Sequence, residues 1–292
     1  MQMKETAIVE LIRQKAVRGV QDQRLILGIG DDCAILRPKA KEDLVFTSDF
    51  ALQDRHFRLS THTGMQIGEL ALARSLSDLA AMGAEPVFCL VSLAVPEQLG
   101  GAFVESFYDG LLRVAKRYAV SLAGGDLSRF DKVIADVTCC GRVPRGKALL
   151  RSGAKAGHLI YVSGSLGGAA HALRERQPIL PTPRLDVGRA LSKLGVSAAM
   201  DISDGLSLDL ARMCKASEVS AEIASDKVPV AKGATLEDAL HGGEDYELLF
   251  TAAPAKKMPA GMREIGVIKR GRVGQVFIDG ERIHSKGFDH FA

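Results

Sequence analysis

No apolar run in this 292-residue chain reaches the roughly 18 residues that a bilayer-spanning helix needs, and Lys4 and Glu5 are charged where a secretory leader would be apolar. Both absences predict a cytoplasmic protein with no membrane partner. The five cysteines, Cys33, Cys89, Cys139, Cys140 and Cys214, form no C-x-x-C pair and have no paired histidines, so neither a zinc site nor a disulfide framework is expected. The net charge is only +3, and basic residues are scattered without interleaved aromatics, which argues against a nucleic-acid partner while leaving anionic small molecules compatible. There is no low-complexity tract. Neither a G-x-x-x-x-G-K-[ST] loop nor the H-R-D and D-F-G pair occurs, so no nucleotide would be cradled in those ways, and Gly28 to Gly30 is a lone G-x-G.

What is present is a chain long enough for two compact units, nearly half apolar. Ile8, Leu11 and Ile12 at helical spacing predict an opening amphipathic helix over Glu5 to Ala16. Strand-like runs follow at Leu25 to Ile29 and Leu44 to Thr47, then a helix from Met65 to Met82 stopped by Gly83. A strand at Val87 to Val95, a helix at Glu97 to Tyr118, and strands at Val120 to Ala123 and Val133 to Cys140 complete the first half. Pro144, Gly146, Gly153 and Gly157 among basic residues mark a boundary, dividing the chain into 1–143 and 144–292. Beyond it come a strand at Leu159 to Ser163, helices at Leu166 to Glu175 and Val187 to Leu194, and a strand at Ala199 to Ile202. A helix at Leu206 to Ala216 and strands near Glu222 and at Glu247 to Thr251 follow. Alternating strands and helices in both halves imply an α/β or α+β fold, each sheet covered by helices.

The acidic residues carry the chemistry. Asp31 and Asp32 stand in G-I-G-D-D, Asp49 in T-S-D, Asp78 in L-S-D-L-A-A-M-G-A and Asp126 in G-G-D. Asp201 and Asp204 stand in M-D-I-S-D-G-L, and Glu244 and Asp245 in G-G-E-D-Y-E-L. Singly, each is an ordinary turn or helix-capping residue. Together they strain that reading, because two carboxylates about 4 Å apart repel by about 4 kcal/mol at the effective dielectric of a protein cleft. Gathered in one site they need cations, and an all-oxygen set without Cys or His selects a hard ion such as magnesium. Magnesium is commonly shared with phosphate oxygens, which points to a nucleotide. Arg151, near the predicted boundary, is the basic candidate for its phosphates.

These motifs resemble those of the thiamine-monophosphate kinases, whose superfamily also holds aminoimidazole ribonucleotide synthetase, selenide water dikinase and a hydrogenase-maturation protein. The resemblance covers nearly the whole chain: L-G-I-G-D-D-C-A (27–34), T-S-D (47–49) with H-F (56–57), S-L-S-D-L-A-A-M-G-A-E-P (75–86), A-G-G-D (123–126), L-L-R-S-G-A-K-A-G (149–157), A-M-D-I-S-D-G-L (199–206), G-G-E-D-Y-E-L (242–248) and K-G-F-D-H-F (286–291). It implies that Asp32, Thr47, Ser48, Asp49, Asp78, Asp126, Asp201 and Asp204 hold several magnesium ions, that Gly125, Arg151 and Ser203 contact ATP, and that His56, Glu244 and Phe288 contact thiamine monophosphate. It also implies two α/β domains. The first would bind metal and ATP and associate as a homodimer, the second would complete the ATP and substrate sites, and the active site would lie in the cleft between them. A cationic thiazolium ring suits an aromatic face at Phe288 and a carboxylate at Glu244.

The reaction implied is magnesium-dependent, in-line transfer of the ATP γ-phosphoryl group to the phosphate of thiamine monophosphate, giving thiamine diphosphate and ADP. That acceptor oxygen is already deprotonated, so no general base is expected. Selenide water dikinase would want a reactive Cys in an N-terminal Gly-rich loop, and the hydrogenase-maturation protein a C-terminal Cys, whereas the last Cys here is Cys214. Two alternatives remain: purine-ring cyclisation of the aminoimidazole ribonucleotide synthetase kind, and a catalytically silent nucleotide-binding protein.

Overall fold

The computed structural model describes residues 5–20, 22–27 and 35–284, and the chain divides into two compact units. One takes residues up to Leu79 together with Ala84–Gly146, the other Ala80–Gly83 together with Lys147 onward.

The first unit opens with helix α1 (Glu5–Arg18), followed by two short antiparallel strands, β1 (Leu25–Leu27) and β2 (Ile35–Leu36). The long strand β3 (Glu42–Leu52) leads to helix α2 (Gly64–Ala81). Thr63 and Gln66 start α2 by a reciprocal capping box, Gln66 N–H donating to Thr63 Oγ1 at 3.3 Å and Thr63 N–H to Gln66 Oε1 at 2.9 Å. Gly83, at φ +68°, stops it, with Ala84 N–H donating to Leu79 C=O at 2.8 Å. Strand β4 (Glu85–Val95), helix α3 (Gly100–Tyr118), strand β5 (Ser121–Arg129) and strand β6 (Ile134–Pro144) complete the unit. The expected helix from Glu97 is corrected here: Glu97–Leu99 is a separate 3-10 turn, and α3 begins at the break that Gly100 makes at φ +62°.

The four strands lie in the order β3-β6-β4-β5, antiparallel except for β4 and β5. Helices α2 and α3 meet backbone to backbone at glycines. A Cβ on Gly68 would fall 1.9 Å from Phe107 O, and one on Gly110 equally close to Met65 O. Ser75 of α2 donates to Val137 O of β6 at 2.7 Å, so this helix covers one face of the sheet. The other face leaves Phe46 and Phe50 of β3 exposed, at 62% and 54%. At one end of that face Leu25 and Leu36 pack with Phe88, Ala123 and Cys140. An ion network fastens that end: Arg24 bonds Asp22 at 2.8 Å, and Arg142 bonds Glu42 at 2.8 Å and Glu85 at 2.6 Å.

The second unit runs β7 (Leu159–Val162), α4 (Gly168–Arg174), α5 (Leu185–Leu194), β8 (Ala198–Asp201), α6 (Leu206–Ala216) and β9 (Ser220–Ile223). After these come α7 (Leu236–His241), β10 (Leu248–Ala252), β11 (Arg263–Lys269), β12 (Val276–Ile278) and β13 (Glu281–Ile283). Its sheet has the order β13-β12-β9-β11-β7-β10-β8, antiparallel except where β12 meets β9. Ile160, Val162, Leu210, Met213, Leu249 and Ile265 form its core, joining α6 to the sheet. Both units are mixed α and β, as expected, with antiparallel pairing predominating.

Candidate active site

In the first unit the site residues sit on strand interiors and on the helix across from them. Asp49 and Asp126 lie within β3 and β5, not beyond the strands as the expected ranges Leu44 to Thr47 and Val120 to Ala123 had them. Pleating sends neighbouring side chains to opposite faces. Thr47 Oγ1 donates to Asp78 Oδ2 of α2, which puts Thr47 and Asp49 on the helix-covered face. The Cys139 thiol reports the same arrangement: burial pushes it well above its ordinary value, and the Cys89 thiol and the carboxylates of Asp49 and Asp78 add to the shift. Ser48 points the other way, donating to Asp136 Oδ1 at 2.6 Å and meeting Thr138 Oγ1 at 3.0 Å.

The register carries this division across the sheet. Asp49 pairs with Val137, Val137 with Val91 and Val91 with Gly125, while Asp126 pairs with Ser92 and Ser92 with Asp136 on the uncovered face. Three strand spacings separate β3 from β5, about 14 Å, so one ion cannot be shared by Asp49 and Asp126 of the same sheet. Among the described residues no three His, Cys, Asp or Glu side chains come together to hold a metal ion. Gly125 is at φ +153°, and a Cβ there would fall 1.9 Å from Val91 O, so only glycine passes this point.

His56 follows β3 and is buried, its Nδ1 accepting the Leu52 N–H at 3.0 Å. That bond assigns the neutral ring's proton to Nε2.

In the second unit two loops interlock. Residues 202–205 run from β8 into α6, and residues 242–247 run from α7 into β10. Glu244 N–H donates to Ser203 C=O at 2.8 Å, Tyr246 N–H to Ile202 C=O at 2.9 Å, and Ile202 N–H to Glu247 C=O at 2.8 Å. Ser203 and Glu244, expected to contact different substrates, are thus joined by one backbone bond. The close approach demands glycine at 205, φ +111°, where a Cβ would come within 2.9 Å of His241 C and O. Glu244 and Tyr246 themselves take left-handed conformations, φ +71° and +53°.

Acids that the sequence did not mark as anchors hold these loops. Asp209, fully buried in the first turn of α6, accepts Ser203 N–H at 3.1 Å and Asp204 N–H at 3.0 Å on Oδ2. Burial raises its pKa first, and the Asp204 amide and Arg212 oppose that shift. Asp245 accepts Gly167 N–H at 2.6 Å and Ala169 N–H at 3.1 Å, and burial pushes it up to about 6 against those bonds. Glu247 accepts from Ser163 Oγ at 2.5 Å and Arg184 Nε at 2.8 Å. Asp136, against Ser48, carries no sequence signal either, because it sits inside a run that reads as a buried strand. Asp209 stands five and six residues after the amides it accepts and Asp245 76 and 78 residues after its own, so no local spacing marks either acid as an anchor.

Asp201 ends β8 and is buried, and Asp204 is three-quarters buried beside Arg212. Arg151 is exposed on a segment tied down by Ala199 N–H to Leu150 C=O at 2.9 Å and Ser217 Oγ to Arg151 C=O at 3.1 Å. Asp32 and Phe288 lie outside the described residues.

Residues 30–143 match the AIR synthase related protein, N-terminal domain, and residues 155–281 match the C-terminal domain of the same family. The chain belongs to the AIR synthase related protein family. Its relatives there include the thiamine-monophosphate kinase of Bacillus subtilis strain 168, 32% identical across 97% of this chain and 98% of the relative. The crystal structure of thiamine-monophosphate kinase from Stenotrophomonas maltophilia K279a superposes with TM-score 0.84 at 35% identity, covering 97% of this chain and 99% of that one. AaThiL complexed with AMPPCP and TMP superposes with TM-score 0.80 at 31% identity, covering 100% and 99%.

Proposed function

We propose that this chain is a thiamine-monophosphate kinase, transferring the ATP γ-phosphoryl group to the phosphate of thiamine monophosphate to give thiamine diphosphate and ADP. The observation that carries it is the Glu244 to Ser203 backbone bond, which keeps side by side two residues that the resemblance assigns to the acceptor and to the nucleotide. The relation to AaThiL complexed with AMPPCP and TMP supports the same pairing of ligands. ATP meets Gly125, Arg151 and Ser203, and thiamine monophosphate meets His56, Glu244 and Phe288. His56, with its proton on Nε2, donates to an acceptor oxygen that needs no base.

The donor set fits magnesium: Asp32, Thr47, Ser48, Asp49, Asp78, Asp126, Asp201 and Asp204 offer oxygen alone, and at Asp204 a guanidinium already serves as the cation. Bound there, magnesium supplies charge neutralisation and alignment of the two polyanions. The split of Ser48 and Asp126 from Thr47 and Asp49 agrees with several ions. Residues 1–143 form the metal, ATP and dimerisation domain and 144–292 the domain that completes both substrate sites. The protein acts in the cytoplasm as a homodimer, and the uncovered sheet face bearing Phe46 and Phe50 is the surface that a second copy fits. The test is whether ADP release from ATP and magnesium requires thiamine monophosphate.

A further inference from the structure

Arg212, two turns into α6, spends one nitrogen on two carboxylates. Its Nη1 donates to Asp204 Oδ2 at 2.5 Å and to Asp209 Oδ1 at 2.8 Å. Asp209 keeps its other oxygen for the Ser203 and Asp204 amides, so one guanidinium joins the acid that anchors the loop to the acid that the loop presents. A divalent ion seeks the same lone pairs of Asp204 that the guanidinium occupies, and the two cations repel each other at contact distance. The partners are unequal in mobility. Asp209 is fully buried and held by two amides, whereas the Arg212 side chain is 41% exposed and can turn to water.

We propose that Arg212 is an internal counter-ion of Asp204, neutralising that carboxylate in the metal-free protein and yielding it when a divalent cation arrives. Arg212 thereby sets how much cation the loop needs. The inference rests on Asp204 being a metal ligand, and it adds a residue that competes with the metal instead of binding it. A partly exposed ion pair holds its partner only about two- to five-fold, so the exchange is easily reversed.

The experiment is manganese binding to the full chain without nucleotide, followed by electron paramagnetic resonance, in four proteins: wild type, Arg212→Gln, Asp204→Asn and the double variant. Gln removes the charge but keeps a donor for the buried Asp209. The expected result is an apparent Kd for manganese about two- to five-fold lower in Arg212→Gln, with no such gain in the Asp204→Asn background. The metal-free melting temperature falls in Arg212→Gln, and the rise on adding manganese grows. Arg212→Lys, which retains the charge but cannot bridge both acids, gives a smaller change of the same sign and serves if Arg212→Gln does not fold. Weaker or unchanged binding in the Arg212 variants, with Asp204→Asn still weakening it, overturns the counter-ion role and leaves Asp204 a ligand. An equal gain in both backgrounds overturns the role as a general charge effect. If Asp204→Asn itself leaves manganese binding unchanged, the ligand reading falls and the proposal with it.

Discussion

Asp245 balances two opposed forces. Its two amide donors favour the carboxylate, while burial favours the neutral acid and prevails, taking it from 3.8 up to about 6. Between those values the folded protein binds a proton that the unfolded chain does not. Its contribution to stability is therefore fully present below about pH 4 and is lost as pH rises through about 6, a swing on the order of 2–3 kcal/mol. Asp245→Asn removes this term, so wild type measured against the variant by denaturant unfolding gains stability from pH 6 to pH 4. A flat difference over that window would refute the balance. Single residues were legible to different degrees. Ser203, Asp204 and Glu244 stand out because glycines and small residues announce a tight loop around them. Asp209 and Arg212 look like ordinary helix residues, since their partners are backbone amides and a second acid that no spacing rule names.

Strands were located more easily than bounded. β3 was expected over Leu44 to Thr47, because the polar T-S-D triplet reads as a turn, but it continues to Leu52. The triplet stays extended because every residue of β3 pairs with β6, and the polar side chains find Asp78, Asp136 and Thr138 on either face. Strands β12 and β13 and helix α7 carry too few residues for a period to show, and β11, though seven residues long, mixes Arg263, Glu264, Gly266 and Lys269 into its apolar run. Helix α2 was legible nearly to its ends through its periodicity and Gly83, but nothing local marked Gly68 as the point where α3 touches it. Gly68→Ala, ordinarily favourable in a helix, is expected to destabilise the fold by about 2 kcal/mol or more, because the added methyl meets the Phe107 carbonyl. Thermal unfolding checks this. A neutral or stabilising substitution would show that the two helices separate freely.

For the molecule as a whole, the two family domains and the relatives' near-complete coverage match what the ordered motifs implied, whereas the uncovered sheet face could not be read from sequence. Phe46 and Phe50 alternate with Ser48, a pattern that reads equally well as buried or exposed until the layer opposite is known. If this face joins two copies, Phe46→Asp with Phe50→Asp halves the molar mass found by light scattering. A wild type that is already a monomer would exclude that use of the face.

Phosphoryl transfer to thiamine monophosphate is tested most directly by phosphorus NMR of the protein with ATP, magnesium and thiamine monophosphate, beside a control without the acceptor. The expected result is thiamine diphosphate rising in step with ADP, and no ADP in the control. ADP and free phosphate without thiamine diphosphate would contradict it.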